Sequence, residues 1–435
     1  MNVFFKKSVV RVALFTLAFT ALSIGQTFAT SPSLELISVD YLGDVSATQD
    51  GATDYGLWGQ GSSTDGQYVA FVSDAKLVDD DTGVYSDAYV RDRFTGETER
   101  VSIGRDAQDN IVEANGDTVS ATISADGRYV VFMSYATNLD NETTTGSAHH
   151  NFMYDRQTQT TTRISYTDTG AVPSNSSSQP TVSSDGRYVA FLSGSSEFSV
   201  DDSNGIGDIF LRDTVDETTT LISRSRVTGQ AVGGWWPRIS ANGRYIVFRS
   251  NGTHLDAAGK VTSGSVQHIY RYDRENDIIE LVSQSSSGVL ATQESRFVTI
   301  TDYGQYVAFG STDTTLDPDH PNTSGIYVRD MTNNETELVI PNGSYPFISN
   351  NGRFLTAGSD TALRIYDRKD GTDWIALKDC DDVTSTIGIG TELEITIPRL
   401  GGDGQHAYFM SQEGFAGGDD NGRLDFYLHE FCTCN

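Results

Sequence analysis

Residues 124–134, Ser-Ala-Asp-Gly-Arg-Tyr-Val-Val-Phe-Met-Ser, contain the pattern that decides the fold. Asp-Gly between two β-forming runs is a strong hairpin signal, because a type I′ turn needs positive φ at both central positions. Seven copies at a mean spacing of about 56 residues form an internal repeat, and such a repeat determines the architecture. The glycines of the copies are Gly66, Gly127, Gly186, Gly243, Gly304, Gly352 and Gly404.

Each copy predicts four short strands. One precedes the turn, as at 122–124, and the nearly continuous apolar run after the turn is typical of a strand buried on both faces. A third strand ends in Asp, as at 208–213, and a fourth follows a short turn, as at 220–223. Four-stranded units repeated around an axis form a β-propeller. The sequence therefore predicts an all-β, seven-bladed β-propeller with antiparallel blades.

The two ends of the chain predict how the ring closes. The seventh copy supplies a first strand near Pro398, a second at 407–410 and a third at 426–428, and then the chain stops. Residues 34–38, Leu-Glu-Leu-Ile-Ser, match the fourth-strand pattern but precede the first copy. We expect this N-terminal strand to complete the last blade, because closure removes free sheet edges that invite aggregation.

The first 29 residues have the pattern of an export signal. Three basic residues precede an apolar stretch at 12–24, and a Thr-Phe-Ala cleavage sequence ends at Ala29. The stretch is short for a membrane span of about 20 residues, and an uncleaved anchor is the alternative. We expect residues 1–29 to be a signal peptide and residues 30–435 to form one propeller domain, periplasmic or secreted.

Charge and composition exclude several classes of protein. The chain has 59 acidic and 30 basic residues and a formal net charge of −29, whereas nucleic-acid binding needs clustered Lys and Arg. Hydrophobic residues make up 37% and aromatic residues 10%, too much for a disordered chain. An acidic surface favours cationic or metal-bridged partners. We expect a monomer with no nucleic-acid partner and no membrane span after signal removal.

Residues 183–193 read Ser-x-Asp-Gly-x-Tyr-Val-Ala-Phe-x-Ser, and Asp-Ile-Phe-x-x-Asp follows at 208–213. This series resembles the PD40 (WD40-like) repeats of TolB-type propellers across nearly the whole mature chain. The resemblance implies a secreted or periplasmic propeller used mainly to bind partners. The family's usual proline before Asp-Gly is absent, the repeats are longer, and TolB's N-terminal domain is missing, so we do not expect TolB itself. The family's six-bladed form is the alternative to seven blades.

We expect binding on the long loops opposite the Asp-Gly turns, because loops on a rigid scaffold usually carry it. Two of these loops contain Asp-x-Asn-Gly-x-x-Asp, and a weaker relative spans 79–87. Oxygen ligands around a glycine turn suit Ca²⁺, which is the one cofactor indicated. The alternative is ordinary turn chemistry, with side chains bonding local amides. The candidate calcium ligands are Asp202, Asn204, Asp208, Asp419, Asn421 and Asp425.

Trp235 and Trp236 are the candidate ligand-binding residues. They follow Gly233-Gly234 on a loop of the same face. Adjacent large aromatic side chains suit stacking on a sugar ring or anchoring a partner peptide. The alternative is that one or both fill the seam between neighbouring blades.

Signals of catalysis are weak. The sequence has no Gly-x-Ser-x-Gly elbow, no His-Glu-x-x-His helix and no phosphate-binding loop. Seven histidines lack a repeated ligand spacing, although His149, His150, His254 and His268 lie in or near the long loops. We expect a non-catalytic scaffold that binds a protein or glycan. The alternative is a secreted metal-dependent carbohydrate-active enzyme, of the polysaccharide lyase or hydrolase type, with His or Gln side chains converging on the axis.

The three cysteines lie near the end of the chain. In an oxidising compartment, Cys380 could pair with Cys432 or with Cys434, which leaves one thiol over. A Cys432–Cys434 bridge and a free exposed pair are the alternatives.

Overall fold

The computed structural model describes residues 34–38, 61–82, 84–108, 110–140, 148–253, 255–256, 264–359, 362–375, 396–400, 406–411 and 425–430. The predicted signal peptide and the three cysteines lie outside these residues. The described residues form β-strands, turns and one short 3₁₀ helix at Ser196–Phe198. They contain no helix long and apolar enough to cross a membrane.

The strands form seven antiparallel sheets, which confirms the predicted blade count, and one additional hairpin. Each sheet is a blade, numbered here in chain order of the Asp-Gly or equivalent turns. The strands of the first four blades and the hairpin are β2 (Tyr68–Ser73), β3 (Asp87–Asp92), β4 (Glu97–Arg100); hairpin β5 (Ile103–Arg105), β6 (Ile111–Glu113); β7 (Thr118–Ile123), β8 (Tyr129–Ser134), β9 (His150–Asp155), β10 (Thr160–Arg163); β11 (Ser177–Val182), β12 (Tyr188–Ser193), β13 (Asp208–Asp213), β14 (Thr218–Leu221); β15 (Trp235–Ile239), β16 (Tyr245–Ser250), β17 (His268–Asp273) and β18 (Ile278–Leu281).

The fifth to seventh blades continue this order. Their strands are β19 (Ser295–Ile300), β20 (Tyr306–Ser311), β21 (Gly325–Asp330), β22 (Glu335–Pro341); β23 (Ser344–Ile348), β24 (Phe354–Ser359), β25 (Ala362–Asp367), β26 (Thr372–Ile375); β27 (Thr396–Leu400), β28 (His406–Ser411), β29 (Asp425–Glu430), and the N-terminal β1 (Leu34–Leu36). Among the described residues, the first blade has three strands, and an isolated β-bridge between Ser62 and Val69 takes the place of its inner strand.

The second strand of each blade is apolar because it lies in the middle of the packed layers. In β12, Val189, Ala190 and Phe191 are fully buried, and the strand pairs on one side with β11 and on the other with β13. Burial of both faces is why the sequence shows a continuous apolar run and no alternation. The buried residues of neighbouring blades merge into shared clusters, so the core lies between the sheets.

The N-terminal strand completes the seventh blade. β1 pairs antiparallel with β29, with Glu35 opposite Leu428, and the sheet order is β1, β29, β28, β27. At the other side of this blade, His406 packs against Gly66 of the first blade. Arg93 of the first blade also forms a 2.8 Å ion pair with Glu35. The seventh and first blades are therefore in contact, as a closed ring requires.

A tyrosine packed on a glycine joins five pairs of neighbouring blades. In the Asp-Gly-x-Tyr phrase, the tyrosine of one blade lies against the turn glycine of the next: Tyr68 on Gly127, Tyr129 on Gly186, Tyr188 on Gly243, Tyr245 on Gly304, and Tyr306 on Gly352. These glycines have φ between 69° and 75°, in the left-handed region. The residues before them do not have positive φ, so the predicted type I′ geometry is wrong although the hairpins form. Since a Cβ on Gly127 would lie 2.3 Å from Cδ2 of Tyr68, only glycine fits.

Replacing Gly127 by alanine tests this contact, and Gly170→Ala is the matched control. Gly170 has nearly the same φ, 77°, but an added Cβ would meet no atom within 4 Å. We expect Gly170→Ala to lower the free energy of unfolding by about 1 kcal/mol, the cost of left-handed backbone. We expect Gly127→Ala to cost about 2–4 kcal/mol, because overpacking is added. Equal losses in urea unfolding would contradict the contact.

Candidate functional site

Four successive inner strands carry a bulge with a side chain held in an unusual backbone conformation. Gln179, Trp236, Phe297 and Tyr345 have φ between 51° and 56°. Each lies at or beside the point where the register of its inner strand shifts against the second strand. Left-handed backbone is uncommon for residues other than glycine, and such strain is concentrated at functional sites. A bulge also redirects the side chain at that point of the strand.

The bulges bring three aromatic rings from three blades together. The rings of Trp236 and Phe297 are stacked with centroids 5.2 Å apart, and those of Phe297 and Tyr345 lie 4.1 Å apart. All three side chains are half-buried. We call Trp236, Phe297 and Tyr345 the aromatic arc. It lies near the long-loop end of the inner strands, because each bulge is at the strand start and the Asp-Gly turn is at the strand end.

Polar and cationic groups border the aromatic arc. The side-chain oxygen of Gln179 accepts a 3.0 Å hydrogen bond from the main-chain N–H of Trp236. The guanidinium of Arg249 lies 4.2 Å from the centroid of the Trp236 ring, a cation–π contact. Burial lowers the pKa of Arg249, and the nearby Arg296 lowers it further. Arg296 in turn pairs with Glu294.

Two arginines of this region have no carboxylate within 4 Å in the described part of the chain: Arg249 and Arg238. Arg238 follows the bulge on β15 and donates to the carbonyl of Pro237 at 2.9 Å. Burial lowers its pKa to about 10. The protein as a whole is acidic. At this position, however, guanidinium groups with no carboxylate within 4 Å favour a ligand with hydrogen-bond acceptors or negative charge.

The structure separates the two predicted tryptophans. Trp236 belongs to the aromatic arc. The Trp235 ring lies beside Gly207 and Gly233, on the loop side of the third blade, and 5.8 Å from the Arg249 guanidinium. Trp235 therefore lies against the neighbouring blade, as in the seam-filling alternative, whereas Trp236 stacks on Phe297. A binding role for either residue stays a prediction.

The predicted calcium loop at Asp202–Asp208 is hydrogen-bonded internally. Asp208 Oδ1 accepts from the Ser223 hydroxyl at 2.6 Å and from the Gly233 N–H at 2.8 Å, and Oδ2 accepts from Asn204 at 2.7 Å. Asn204 Oδ1 accepts from the Ile206 N–H. The bonds made by Asn204 are ordinary turn chemistry, whereas Ser223 and Gly233 donate from outside the loop, and Asp202 Oδ2 is buried without a hydrogen-bond partner. Calcium binding at this loop stays a prediction.

The second predicted calcium loop cannot be placed in the same way. Asp419 and Asn421 lie outside the described residues, and Asp425 is the first residue of β29. Ligation by these residues stays a prediction.

The histidines of the long-loop face have structural surroundings. His150 and His268 begin the third strands of the second and fourth blades and are 3% and 2% exposed. Nδ1 of His150 lies 3.3 Å from the Ser165 hydroxyl, and Nδ1 of His268 lies 3.1 Å from that of Ser283. His254 lies outside the described residues. Within the described ranges, no cluster of three potential metal ligands includes a histidine.

The aspartate at the end of the third strand is repeated in six blades, and in the second blade it bonds to two neighbouring turns. Arg128 forms paired hydrogen bonds with Asp155, at 2.9 and 2.6 Å. Asp155 Oδ1 also accepts from the N–H of Gln157 in the following turn. These bonds lower the pKa of Asp155, the Arg128 hydrogen bond having the largest effect. The repetition of this residue therefore reflects the fold and not an acid–base reaction.

Comparisons with known proteins show the fold. No protein-family model matches the sequence, and no curated protein matches it. An oligogalacturonate lyase from Vibrio parahaemolyticus is similar with a TM-score of 0.56 and 12% identity, over 92% of this chain and 97% of that one. An oligogalacturonate lyase in complex with manganese has a TM-score of 0.55 and 13% identity, over 92% and 96% of the chains. At these identities, the similarity establishes the propeller architecture alone.

Sequence reasoning missed two members of the aromatic arc, Phe297 and Tyr345. The sequence does contain a signal for them. Each residue of the aromatic arc stands seven positions before the turn glycine of its blade, for example Trp236 before Gly243 and Phe297 before Gly304. Aligning the repeats at that offset places aromatic residues at one level of three neighbouring inner strands.

The buried histidines predict a pH dependence of stability. Burial lowers the pKa of His150 and His268 to about 4, from 6.5. Between these values the unfolded chain binds protons that the folded chain does not, so each histidine makes stability fall as the pH falls from 6.5 to 4. The full effect is about 3 kcal/mol per histidine.

A double variant, His150→Gln and His268→Gln, isolates this effect. We expect the free energy of unfolding, measured in urea from pH 4 to 7.5, to depend less steeply on pH than in the unmodified protein. Parallel curves for the double variant and the unmodified protein would contradict the assignment.

Proposed function

We propose that this chain is an exported, non-catalytic propeller that binds an oligosaccharide on the aromatic arc. The observation that carries the proposal is the stacking of Trp236, Phe297 and Tyr345, three half-buried rings contributed by three different blades. Sugar rings present apolar C–H faces that stack on aromatic side chains, while their hydroxyls need polar partners at the edge.

The polar border of the arc supports the same ligand class. Arg249 offers guanidinium donors beside the Trp236 ring, and Gln179 has an amide group at the same level. A row of rings across neighbouring blades suits a ligand several sugar units long, because each ring can contact a different unit. The bulges fix the rings before binding, which lowers the entropic cost of association.

The names of the similar structures also favour an oligosaccharide ligand. The two similar structures described above are oligogalacturonate lyases, so this architecture accommodates an oligosaccharide in those proteins. An acidic sugar would also use the arginines that lack a carboxylate partner, Arg238 and Arg249. Secretion or a periplasmic location would place the protein where extracellular glycans are encountered, as the predicted signal peptide implies.

Binding to a glycan array, followed by calorimetry with the oligosaccharide bound most tightly, tests the proposal. We expect Trp236→Ala to weaken binding at least about tenfold, since a lost stacking contact of 1.4 kcal/mol is a factor of ten. The far-ultraviolet circular dichroism should be unchanged. Arg249→Gln should weaken binding of acidic oligosaccharides more than of neutral ones.

Tyr303→Ala is the matched control, because Tyr303 is an exposed aromatic residue, 77% accessible, at an Asp-Gly-type turn of the opposite face. It should bind like the unmodified protein. Equal affinities of the Trp236→Ala and Tyr303→Ala variants would refute the site. Trp236-dependent capture of a protein, with no glycan bound, would keep the site and refute the glycan assignment.

A further inference from the structure

Three carboxylates from three separate segments meet at the long-loop end of the first blade. Asp81 lies in the loop between β2 and β3, Asp87 is the first residue of β3, and Glu113 is the last residue of β6 in the following hairpin. One oxygen of each lies within 4.8 Å of the others. We call these residues the acidic triad. In the ranges that the structure describes, no other group of three His, Cys, Asp or Glu residues is so close.

The acidic triad is buried and has oxygens without donors. Asp87 is 0% exposed and Asp81 1% exposed. Asp87 Oδ1 accepts from the Ser102 hydroxyl, but its Oδ2 is buried with no hydrogen-bond partner. Glu113 Oε2 accepts from the Thr82 N–H at 2.9 Å, and its Oε1 is likewise buried without a partner. Leaving carboxylate oxygens buried and unsatisfied is costly, so these atoms point to a missing positive ligand.

The nearby arginine neutralises only part of this charge. Arg100 Nη1 lies 3.6 Å from Asp87 Oδ2 and 3.9 Å from Asp81 Oδ1, and it forms a hydrogen bond with neither. Its Nη2 is bonded to the Asp80 carbonyl and carboxylate, both at 3.0 Å. One guanidinium therefore lies beside two of the triad carboxylates, Asp81 and Asp87, while it is also engaged by Asp80.

The second blade shows that the fold does not require the acidic triad. There, Arg163 occupies the position of Arg100 and forms paired hydrogen bonds with the single carboxylate of Asp140, at 2.8 and 2.9 Å, while its Nη1 is buried without a hydrogen-bond partner. His150 stands where the first blade has Asp87. The extra carboxylates of the first blade are thus an addition to a shared framework, and their presence needs its own explanation.

We propose that the acidic triad is a calcium site. Carboxylate oxygens are hard ligands, and Ca²⁺ accepts six to eight of them in flexible geometry, completing its shell with main-chain oxygens and water. Mg²⁺ fits less well because it demands near-ideal octahedral geometry. The ion would join Glu113, on the β5–β6 hairpin, to the loop and third strand of the first blade. The site is independent of glycan binding on the aromatic arc.

Calorimetry and thermal melting of the full chain, freed of metal with chelator, test the proposal. We expect 1 mM CaCl₂ to bind and to raise the melting temperature by at least about 3 °C, because an ion that binds only the folded state stabilises it. Glu113→Gln should abolish both effects, since it removes a ligand at a half-buried position. Glu97→Gln makes the same charge change at an exposed turn residue and should behave like the unmodified protein.

Terbium luminescence gives a second readout that does not depend on stability. The Tyr89 hydroxyl donates a hydrogen bond to Asp81, so its ring is placed to sensitise Tb³⁺ bound by the triad. We expect luminescence that Ca²⁺ displaces at lower concentration than Mg²⁺, and that Glu113→Gln and Asp87→Asn each reduce at least tenfold. No calcium-displaceable signal, or calcium binding that persists in Glu113→Gln and disappears in Asp202→Asn, would overturn the proposal.

Discussion

The contact between a tyrosine ring and a turn glycine is the constraint on which the ring depends. Each glycine must adopt positive φ to make the hairpin, and each must also lack a side chain so that the neighbouring tyrosine can reach it. One residue therefore fixes both the turn within a blade and the distance between blades. In the seventh blade a histidine, His406, takes the place of the tyrosine and packs on Gly66, so the same contact joins the last blade to the first.

Arginine side chains also stabilise these contacts between neighbouring blades. Arg156 of the second blade stacks over Tyr68 of the first at 4.0 Å and donates to the carbonyl of Gly127 at 2.7 Å. Arg368 makes the corresponding contacts with Tyr306 and Gly352. Arg93 likewise donates to the carbonyl of Gly66 and also forms an ion pair with Glu35 of the N-terminal strand. Because the seams are fixed at the turn face, the opposite ends of the inner strands are free to carry bulges and varied side chains.

The sequence predicted the architecture because its signals are local. Three of these signals each depend on a few adjacent residues: the hairpin turns, the apolar second strands, and the fourth-strand pattern at 34–38 that precedes the first copy. The candidate sites depend instead on contacts between segments that are far apart in the sequence. Trp236 meets Phe297 only because neighbouring blades bring residues 61 positions apart to one level.

The acidic loops show that a local sequence pattern does not by itself reveal which oxygens are available to a ligand. The Asp-x-Asn-Gly-x-x-Asp pattern marked Asp208, whose oxygens are taken by Ser223, Asn204 and the Gly233 N–H. The described carboxylates that do cluster include Glu113, which lies on a separate hairpin and is not part of any local motif. Spacing along the chain identifies loops rich in ligands, but hydrogen-bond donors from elsewhere in the fold decide which oxygens remain available.

Circular closure is tested most directly by a disulfide between Glu35→Cys and Leu428→Cys, in a chain whose three native cysteines are replaced by serine. These positions face each other across the β1–β29 pair, where Cβ atoms are about 5 Å apart. We predict a cross-linked monomer on oxidation, in which nonreducing mass mapping finds the peptides that contain positions 35 and 428 joined. Cross-linking only between molecules, or none at all, would contradict closure of the seventh blade by the N-terminal strand.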